Sequence, residues 1–507
     1  MTAVNWRQLD IRLYAVVASL VISGIILLFP YAYTPNDDAY TYIRTADIFL
    51  NEGLAAAFEH YTWASYSVLI GLTSKLGIGL FPAAHLINAL FYALLVFAFV
   101  SIVMEMHTSR LILVLSAVVI LVYPQLNEYR TYVIRDIGFW ALSLLALWLF
   151  LLFARTGMLQ YAVGFCGALL LAMSLRPEAM FYLLVTPVAL LLDQRCERQE
   201  RQRRFFLLAS LIIGIGLLAL IVLALAGANV ITLLTEFVSV YKPFLSNTFT
   251  PDPVQADAVG KVLFGEYAAD FSREYIAIFM AAGLLSILLA NLFNSIGGPF
   301  LWVLVYGAIQ SQLRISRAAA MPILFYMLTN AIVLLGFLFV TRYLSSRYAL
   351  LFSLMLALLV PQLLAYYLQN KAEAKRRTAV VVLSIFLSYC AFDAYISFGY
   401  SKHYVYDAID WVAQDGADDN GTIPTLVTNN HAVAYFSGRV EDYDKIKRNL
   451  TATDILQVAP GALVVIETNF AMTQLLATPA IAAALERVVT LPSAEDEQLL
   501  ILRRIAP

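Results

Sequence analysis

The chain has 507 residues, of which 61% are hydrophobic and only 13% are charged, and its formal net charge is −2. So apolar a composition excludes an ordinary soluble domain, and a charge balance near zero gives no basic surface for nucleic acid. Cys166 and Cys390 lie inside apolar runs, so the cysteines indicate neither a disulfide framework nor a thiolate metal site. We therefore predict a mainly α-helical protein that crosses a membrane many times.

Apolar runs of spanning length recur from Leu13 to about Ile396. Basic clusters in short loops mark the cytoplasmic side, and three such clusters lie at 7–12, 193–204 and 371–377. About eleven spans satisfy these clusters. The apolar stretch at 297–313 is interpreted as interfacial or re-entrant, or as a span paired with a further unrecognised segment, which gives eleven to thirteen spans in all. The predicted spans are residues 13–30, 82–104, 110–124, 136–154, 159–175, 178–192, 205–227, 275–293, 320–340, 348–367 and 378–396.

Charge returns at the C-terminal end, where residues 398–507 carry 14 acidic and 8 basic side chains. Short β-like runs at 425–428, 462–467 and 499–503 accompany helical patterns such as 404–413. We therefore divide the chain into a membrane domain, residues 1–397, and a small soluble α/β domain, residues 398–507. The odd number of spans places the N-terminus in the cytoplasm and the α/β domain on the periplasmic or extracellular side of a bacterial inner membrane.

The first external segment, residues 31–81, is too long for a simple connection between two helices. It contains PNDDAYTY at 35–42, in which Asp37 and Asp38 precede a helical stripe of apolar residues. Asn36 or Asp37 could cap that helix, because side-chain oxygens accept from free backbone N–H groups at helix starts. Capping needs only one group, so a second carboxylate there is a candidate general base for an acceptor hydroxyl.

Three later constellations are external by the same topology. Arg135 and Asp136 open the fourth span, and Arg176 and Glu178 interrupt the apolar run between the fifth and sixth. Charges so near the hydrocarbon are functional candidates, although Asp136 could cap a helix and the Arg176 and Glu178 pair could form only a structural turn.

The third constellation is TRYLSSRYALL at 341–351, which contains Arg342, Arg347 and Tyr348. These arginines could simply anchor the membrane interface, or they could bind phosphate with their planar, permanently charged forks. Lys242, in the external segment 228–274, could cover the same pocket. Carboxylates and arginines on one face suit a substrate that is half lipid and half phosphate-linked polar group.

Several of these short motifs resemble the GT-C superfamily of membrane glycosyltransferases. The most similar members are the bacterial protein O-mannosyltransferases and the aminoarabinose transferases that modify lipid A. The residues that carry the resemblance are Asp37 and Asp38, Arg135 and Asp136, RPEA at 176–179, and Arg347 with Tyr348. Aspartate follows aspartate here, where protein mannosyltransferases have Asp-Glu, so the choice between the two carboxylates stays open.

The resemblance implies inverting transfer of a sugar from a polyprenyl-phosphate donor to a hydroxyl of a glycan, lipid or protein. Asp37 or Asp38 would be the base, and Asp136 would orient the acceptor or the arginines. Arg176 and Arg347 would bind the donor phosphate, with Arg342 and Lys242 in reserve. The supporting residues would be Arg135, Glu178, Tyr348, Tyr40 and His60. The resemblance implies no metal, with a divalent cation at Asp37 and Asp38 kept as an alternative.

Two other functions compete with this interpretation. A lipid or oligosaccharide flippase would also combine many spans with intramembrane charges, but the paired, Gly/Pro-interrupted helices of such transporters are not evident. An O-antigen-type polymerase or ligase would use the same donor lipid, but the acidic pair lies in the first loop rather than in a large central one.

Overall fold

The computed structural model describes residues 10–28, 34–225, 253–272, 275–313, 317–370, 372–396, 403–414, 425–492 and 498–505, together with isolated positions 231, 232, 235, 239 and 315. Its helices follow the hydropathy of the sequence closely. The longer helices are α1 (Ile11–Leu27), α2 (Asp37–Glu52), α4 (Ser65–Ser74), α5 (Leu80–Met106), α6 (Arg110–Leu121), α8 (Asp136–Thr156), α9 (Leu159–Leu175), α11 (Arg198–Leu225), α12 (Pro253–Ser272), α13 (Ile276–Ile296), α14 (Gly298–Ile309), α15 (Arg317–Thr341), α16 (Ser346–Ala357), α17 (Val360–Gln369), α18 (Glu373–Tyr395) and α19 (His403–Gln414).

Shorter elements complete the described chain. The short helices are α3 (Leu54–His60), α7 (Pro124–Asn127), α10 (Ala179–Val185), α20 (His431–Ser437), α21 (Ala452–Leu456), α22 (Phe470–Leu476) and α23 (Pro479–Ala482). Two 3₁₀ segments cover Glu128–Thr131 and Thr186–Leu192. The strands are β1 (Leu426–Thr428), β2 (Leu463–Glu467), β3 (Leu485–Pro492) and β4 (Gln498–Arg504).

The chain is a multi-pass membrane protein. Among the described residues, 7 helical segments are long and apolar enough to cross a membrane, or up to 8 if the bent pair of helices around residue 122 is one span. Four shorter apolar helical segments of 10–17 residues add to these, including α14 within the predicted interfacial stretch. The total of eleven to thirteen spans and the sidedness of the loops stay predictions.

Burial separates central helices from peripheral ones. In the apolar 18-residue stretches of α5 and α8, 72% and 83% of the residues are buried, whereas in those of α11 and α13 only 6% and 11% are buried. Lipid covers an apolar helix surface that packs against no protein, and it can do so because the backbone N–H and C=O groups of a helix already form hydrogen bonds within the helix. We infer that α11 and α13 face the hydrocarbon.

The described chain forms two compact units. The first contains the described residues of Met1–Val21, Leu90–Tyr129 and Arg135–Tyr395. The second contains those of Ile22–Ala89, Arg130–Ile134 and Ile396–Pro507. The first external segment and the C-terminal residues therefore belong to one compact unit, whereas the division at residue 397 assigned them to separate domains, and that division stays a prediction.

A four-stranded sheet organises the second unit, with strand order β1-β2-β4-β3. Strands β1 and β2 are parallel, and β4 is antiparallel to both β2 and β3. Alternate side chains of β2 enter separate apolar clusters, Leu463 and Val465 on one face and Val464 and Ile466 on the other. This alternation explains why the sequence run at 462–467 reads as a strand buried on both faces.

Helix α19 covers one face of this sheet through apolar residues at helical spacing, Val405, Ala408, Ile409 and Val412. Tyr40 of α2 joins the same cluster. The cluster therefore ties the helix that begins with Asp37 to the sheet. Within the predicted external segment 228–274, Pro253–Ser272 forms a helix, and proline is favoured in the first turn of a helix.

Candidate functional site

Helix α2 begins with the acidic pair. Asp37 is its first residue and is exposed, whereas Asp38 is half-buried and has contacts of its own. Asn36 does not cap the helix with its side chain. Its amide instead binds the backbone of Val133, accepting from the N–H at 2.8 Å and donating to the carbonyl at 3.3 Å. Residues 130–134 thus fix the start of α2 within the second unit.

Asp37 lines a polar cavity of about 180 Å³ in the second unit, and Asp38 is not among the lining residues. Thr34, Pro35 and Tyr40 form one side of this cavity. The other side is formed by residues that directly follow β1 and β2, including Asn429, Asn430, His431, Glu467, Thr468 and Asn469. Because β1 and β2 are parallel neighbours, their carboxyl ends meet at the same edge of the sheet, which is where open α/β sheets commonly bind ligands.

Hydrogen bonds hold the far wall of the cavity in place. Asn429 accepts from the backbone N–H of Glu467 at 2.8 Å and donates to the Glu467 carbonyl at 2.9 Å. Asn430 donates to the Glu467 carboxylate at 2.7 Å and caps α20 by accepting from the N–H of Val433 at 3.0 Å. Tyr404 donates to the same carboxylate at 3.0 Å. The wall is therefore preformed and not assembled by a ligand.

Tyr40 and His431 stack in parallel at the cavity, with ring centroids 5.6 Å apart and an interplanar angle of 12°. Nδ1 of His431 lies 2.7 Å from the carbonyl of Tyr443, so that nitrogen carries a proton and Nε2 is the acceptor in the neutral ring. Tyr40 is 1% exposed, and its hydroxyl has no hydrogen-bond partner among the described residues. Burial raises the pKa of Tyr40 far above its ordinary value, so the hydroxyl keeps its proton.

His60 lies in the same unit but does not line the cavity. Its Nε2 is 2.8 Å from Oδ2 of Asp444, whose side chain is only 3% exposed. This pair joins the end of α3 to the segment that follows α20. The geometry gives His60 a structural contact.

The first unit brings a second group of candidate residues together around Arg176. The guanidinium donates to Oδ1 of Asp136 at the start of α8 and to Oε1 of Glu178, the latter at 2.7 Å. The side chains of Arg176, Asp136 and Glu178 are 12%, 5% and 22% exposed. The chain reverses at Gly157, where φ is +69°, so the end of α9 returns beside the start of α8.

Glu178 lies between α9 and α10, where the guanidinium groups of Arg176 and Arg135 both attract its carboxylate. Arg176 therefore neutralises two carboxylates, and Arg135 adds a second positive charge nearby.

Tyr348 links this ion cluster to a further arginine. The Arg176 guanidinium lies 4.5 Å from the centroid of the Tyr348 ring, and that of Arg347 lies 5.2 Å from it. Both positions are within the range of cation–π attraction. Arg342 is exposed at the end of α15 and packs on Phe339 at 5.2 Å. Its φ of +60° places it in the left-handed conformation that ends helices.

A glycine permits the close approach of α8 and α9 beside the ion cluster. A Cβ added to Gly138 would lie 2.5 Å from Cδ1 of Leu175 and 2.7 Å from Cε2 of Phe91. Any side chain at this position would displace Leu175, the residue that precedes Arg176. Gly138 is therefore part of what holds Arg176 within reach of Asp136.

Neither a protein-family model nor a curated protein sequence matches the chain. Its structure is similar to ArnT from Cupriavidus metallidurans bound to undecaprenyl phosphate, with a TM-score of 0.51 and 13% identity over 97% of this chain and 98% of that one. ArnT belongs to the GT-C superfamily. This chain has a GT-C fold.

Two other GT-C structures have lower scores. Apo ArnT from the same organism gives a TM-score of 0.46 and 12% identity over 97% of this chain and 100% of that one. The oligosaccharyltransferase of Archaeoglobus fulgidus, tethered to an acceptor peptide with the NVT sequon, gives 0.44 and 12% over 85% and 64%.

Within this fold, the candidate residues fall into two groups, one in each unit. Asp37, Asp38, Tyr40 and His60 belong to the second unit, and Lys242 lies outside the described residues. The first unit contains Arg135, Asp136, Arg176, Glu178, Arg342, Arg347 and Tyr348. Among the described residues, no group of three or more His, Cys, Asp or Glu side chains is arranged to hold a metal ion.

Sequence reasoning missed the cavity residues contributed by the C-terminal part of the chain. A usable signal was nevertheless present, because polar residues follow two β-like runs, Asn429 and Asn430 after one and Thr468 and Asn469 after the other. Recognising β1 and β2 as parallel neighbours would have brought these residues to one edge.

Proposed function

We propose that this protein transfers a sugar from a polyprenyl-phosphate donor to a hydroxyl of an acceptor at the outer face of a bacterial inner membrane. The observation that carries the proposal is the fold shared with ArnT along 97% of the chain, since that ArnT structure is bound to undecaprenyl phosphate. The many apolar helices suit a donor whose lipid stays in the membrane.

Asp37 is the proposed base. It is exposed at the start of α2 and lines the polar cavity, whereas Asp38 is half-buried and outside the lining. In the proposed step, Asp37 accepts the proton of the acceptor hydroxyl while that oxygen forms a bond to the anomeric carbon. The bond from this carbon to the phosphate oxygen breaks, and polyprenyl phosphate leaves with the electron pair, which inverts the anomeric configuration.

Arg347 is the proposed partner of the donor phosphate. Arg176 already binds Asp136 and Glu178, so its charge is balanced within the protein. Arg347 lies beside Arg176 at the ring of Tyr348, and its permanent positive charge would stabilise the phosphate that departs. Arg176 and Asp136 then act as positioning residues that hold Tyr348 and Arg347 in place.

The decisive experiment reconstitutes the full chain in liposomes with radiolabelled polyprenyl-phosphate hexoses and pentoses and cell-envelope extract as the source of acceptor. We expect release of polyprenyl phosphate coupled to labelling of an acceptor. Asp37→Asn should lower the rate about 100-fold or more, the usual contribution of a general base. An EDTA arm tests the alternative of a divalent cation at Asp37 and Asp38.

The same experiment separates the competing functions. A flippase would move intact donor across the bilayer without breaking the sugar–phosphate bond. A polymerase would produce repeating oligosaccharides on the lipid carrier. If the wild-type chain cleaves no donor, the proposed function is wrong. If Asp37→Asn and Asp38→Asn both retain full transfer, the proposed base is wrong.

A further inference from the structure

We infer that the cavity beside Asp37 binds the acceptor as a single neutral sugar residue, and that the carboxyl ends of β1 and β2 select it. The inference rests on the proposed function and adds the substrate class. It makes the acceptor a glycan rather than a peptide or the phosphate of a lipid. It also assigns acceptor selection to residues of the C-terminal part of the chain.

The size and polarity of the cavity favour a sugar ring. A volume of about 180 Å³ is below the range of roughly 300–1,000 Å³ typical of drug-sized ligands. The cavity therefore has the size of a single ring-sized group of a ligand. The exposed lining is mainly polar, and amide, carboxylate and imidazole groups match the ring hydroxyls of a sugar, which both donate and accept.

The charges of the lining argue for a neutral ligand. Asp37 and Glu467 contribute two carboxylates, and Arg448 contributes one guanidinium. A phosphate or carboxylate group on the acceptor would add to this negative excess and be disfavoured. Arg448 is exposed and has no side-chain hydrogen bond or ion pair within the described part of the chain, so its donors are available to a ligand.

Tyr40 supplies an independent observation that points to a ligand. Its side chain lines the cavity and is 99% buried, yet its hydroxyl makes no hydrogen bond to any described residue. A buried hydroxyl without a partner destabilises the ligand-free protein, because the group has lost its hydrogen bonds to water. A sugar hydroxyl in the cavity would provide the missing partner and place a second hydroxyl near Asp37.

The test measures binding without any donor. Wild-type chain in nanodiscs, which avoid sugar-headed detergents, is studied by saturation-transfer NMR with methyl glycosides of a neutral hexose, a neutral pentose and an N-acetylhexosamine. A hexose 6-phosphate and a blocked serine are the anionic and peptide comparisons. We expect saturation of at least one neutral glycoside and none of the two comparison compounds.

Two variants locate the binding. Arg448→Gln should weaken the affinity for the neutral glycoside about tenfold, the loss of one charge-assisted hydrogen bond. Lys445→Gln is the matched control, because Lys445 is 61% exposed, pairs with Asp442 at 3.7 Å and lies outside the cavity lining. Tyr40→Phe should weaken binding about threefold to tenfold and yet raise the stability of the ligand-free protein, because it removes an unsatisfied hydroxyl.

Preferential binding of the phosphate or the serine would overturn the inference. So would the absence of any glycoside signal, or a signal that neither Arg448→Gln nor Tyr40→Phe changes. If these results are negative while the wild-type chain still cleaves the donor and Asp37→Asn does not, only the acceptor inference fails. If no donor is cleaved, the proposed function fails, whatever the glycosides show.

Discussion

Removal of Arg176 separates a structural role in the ion cluster from a role in donor binding. In Arg176→Met, two carboxylates that are 5% and 22% exposed lose their shared partner. Breaking a buried ion pair in this way costs about 3–5 kcal/mol, because an uncompensated charge stays buried. We therefore expect severe destabilisation and, for most molecules, loss of the native state.

The size of this effect depends on which member of the cluster is changed. Asp136→Asn leaves Arg176 paired with Glu178 and should cost only about 1–3 kcal/mol, the loss of one charge-assisted hydrogen bond. The triple variant with Arg176→Met, Asp136→Asn and Glu178→Gln removes both carboxylates together with the arginine that pairs with them. It should regain most of the stability that Arg176→Met loses.

The assay is equilibrium unfolding in mixed micelles, followed by intrinsic fluorescence at increasing SDS fraction. Arg203→Met is the matched control, because Arg203 pairs with Glu200 at 3.2 Å and their side chains are 72% and 33% exposed, and exposed pairs contribute about 0–1 kcal/mol. The reasoning is refuted if Arg176→Met is as stable as Arg203→Met, or if the triple variant is no more stable than Arg176→Met alone.

Four further variants test neighbouring assignments. Asp38→Asn should retain transfer within about tenfold of wild type in the liposome assay, because Asp38 does not line the cavity; a loss as large as that of Asp37→Asn would contradict this. Arg347→Ala should raise the KM for the donor about tenfold to 100-fold, whereas Arg342→Ala, which removes an exposed side chain, should change it little, and equal effects would count against Arg347. Asp444→Asn should lower stability by about 1–3 kcal/mol through loss of the contact with His60, measured by SDS unfolding; an unchanged curve would show that the contact is unimportant.

Hydropathy predicted the helices well because a membrane span is specified by local composition. The predicted span at 159–175 coincides with α9, and the span at 136–154 differs from α8 by two residues at its end. The strands at 425–428, 462–467 and 499–503 were also recognised. Strand β3 was missed because Glu486 and Arg487 interrupt its apolar pattern, and its position depends on pairing with β4 rather than on local sequence.

The candidate site was harder to predict from the sequence than the helices were. Charged residues near apolar runs identified Asp37, Asp136 and Arg176, since such residues are rare in membrane segments. We predicted that Arg176 binds the donor phosphate. In the structure Arg176 pairs with two carboxylates, because the end of α9 returns beside the start of α8. The cavity beside Asp37 depends on residues far apart in sequence, which no local pattern connects.

Asp37 and the cavity wall that contains Glu467 lie near opposite ends of the sequence, so the two sides of the cavity are synthesised at different times. A ribosome completes every described membrane helix before it reaches the residues that close the cavity. A nascent or prematurely terminated chain can therefore insert into the bilayer and carry the carboxylate of Asp37 with nothing opposite it. On the proposed mechanism, such a chain already has the base and the arginine for the donor phosphate but still lacks the residues that select the acceptor.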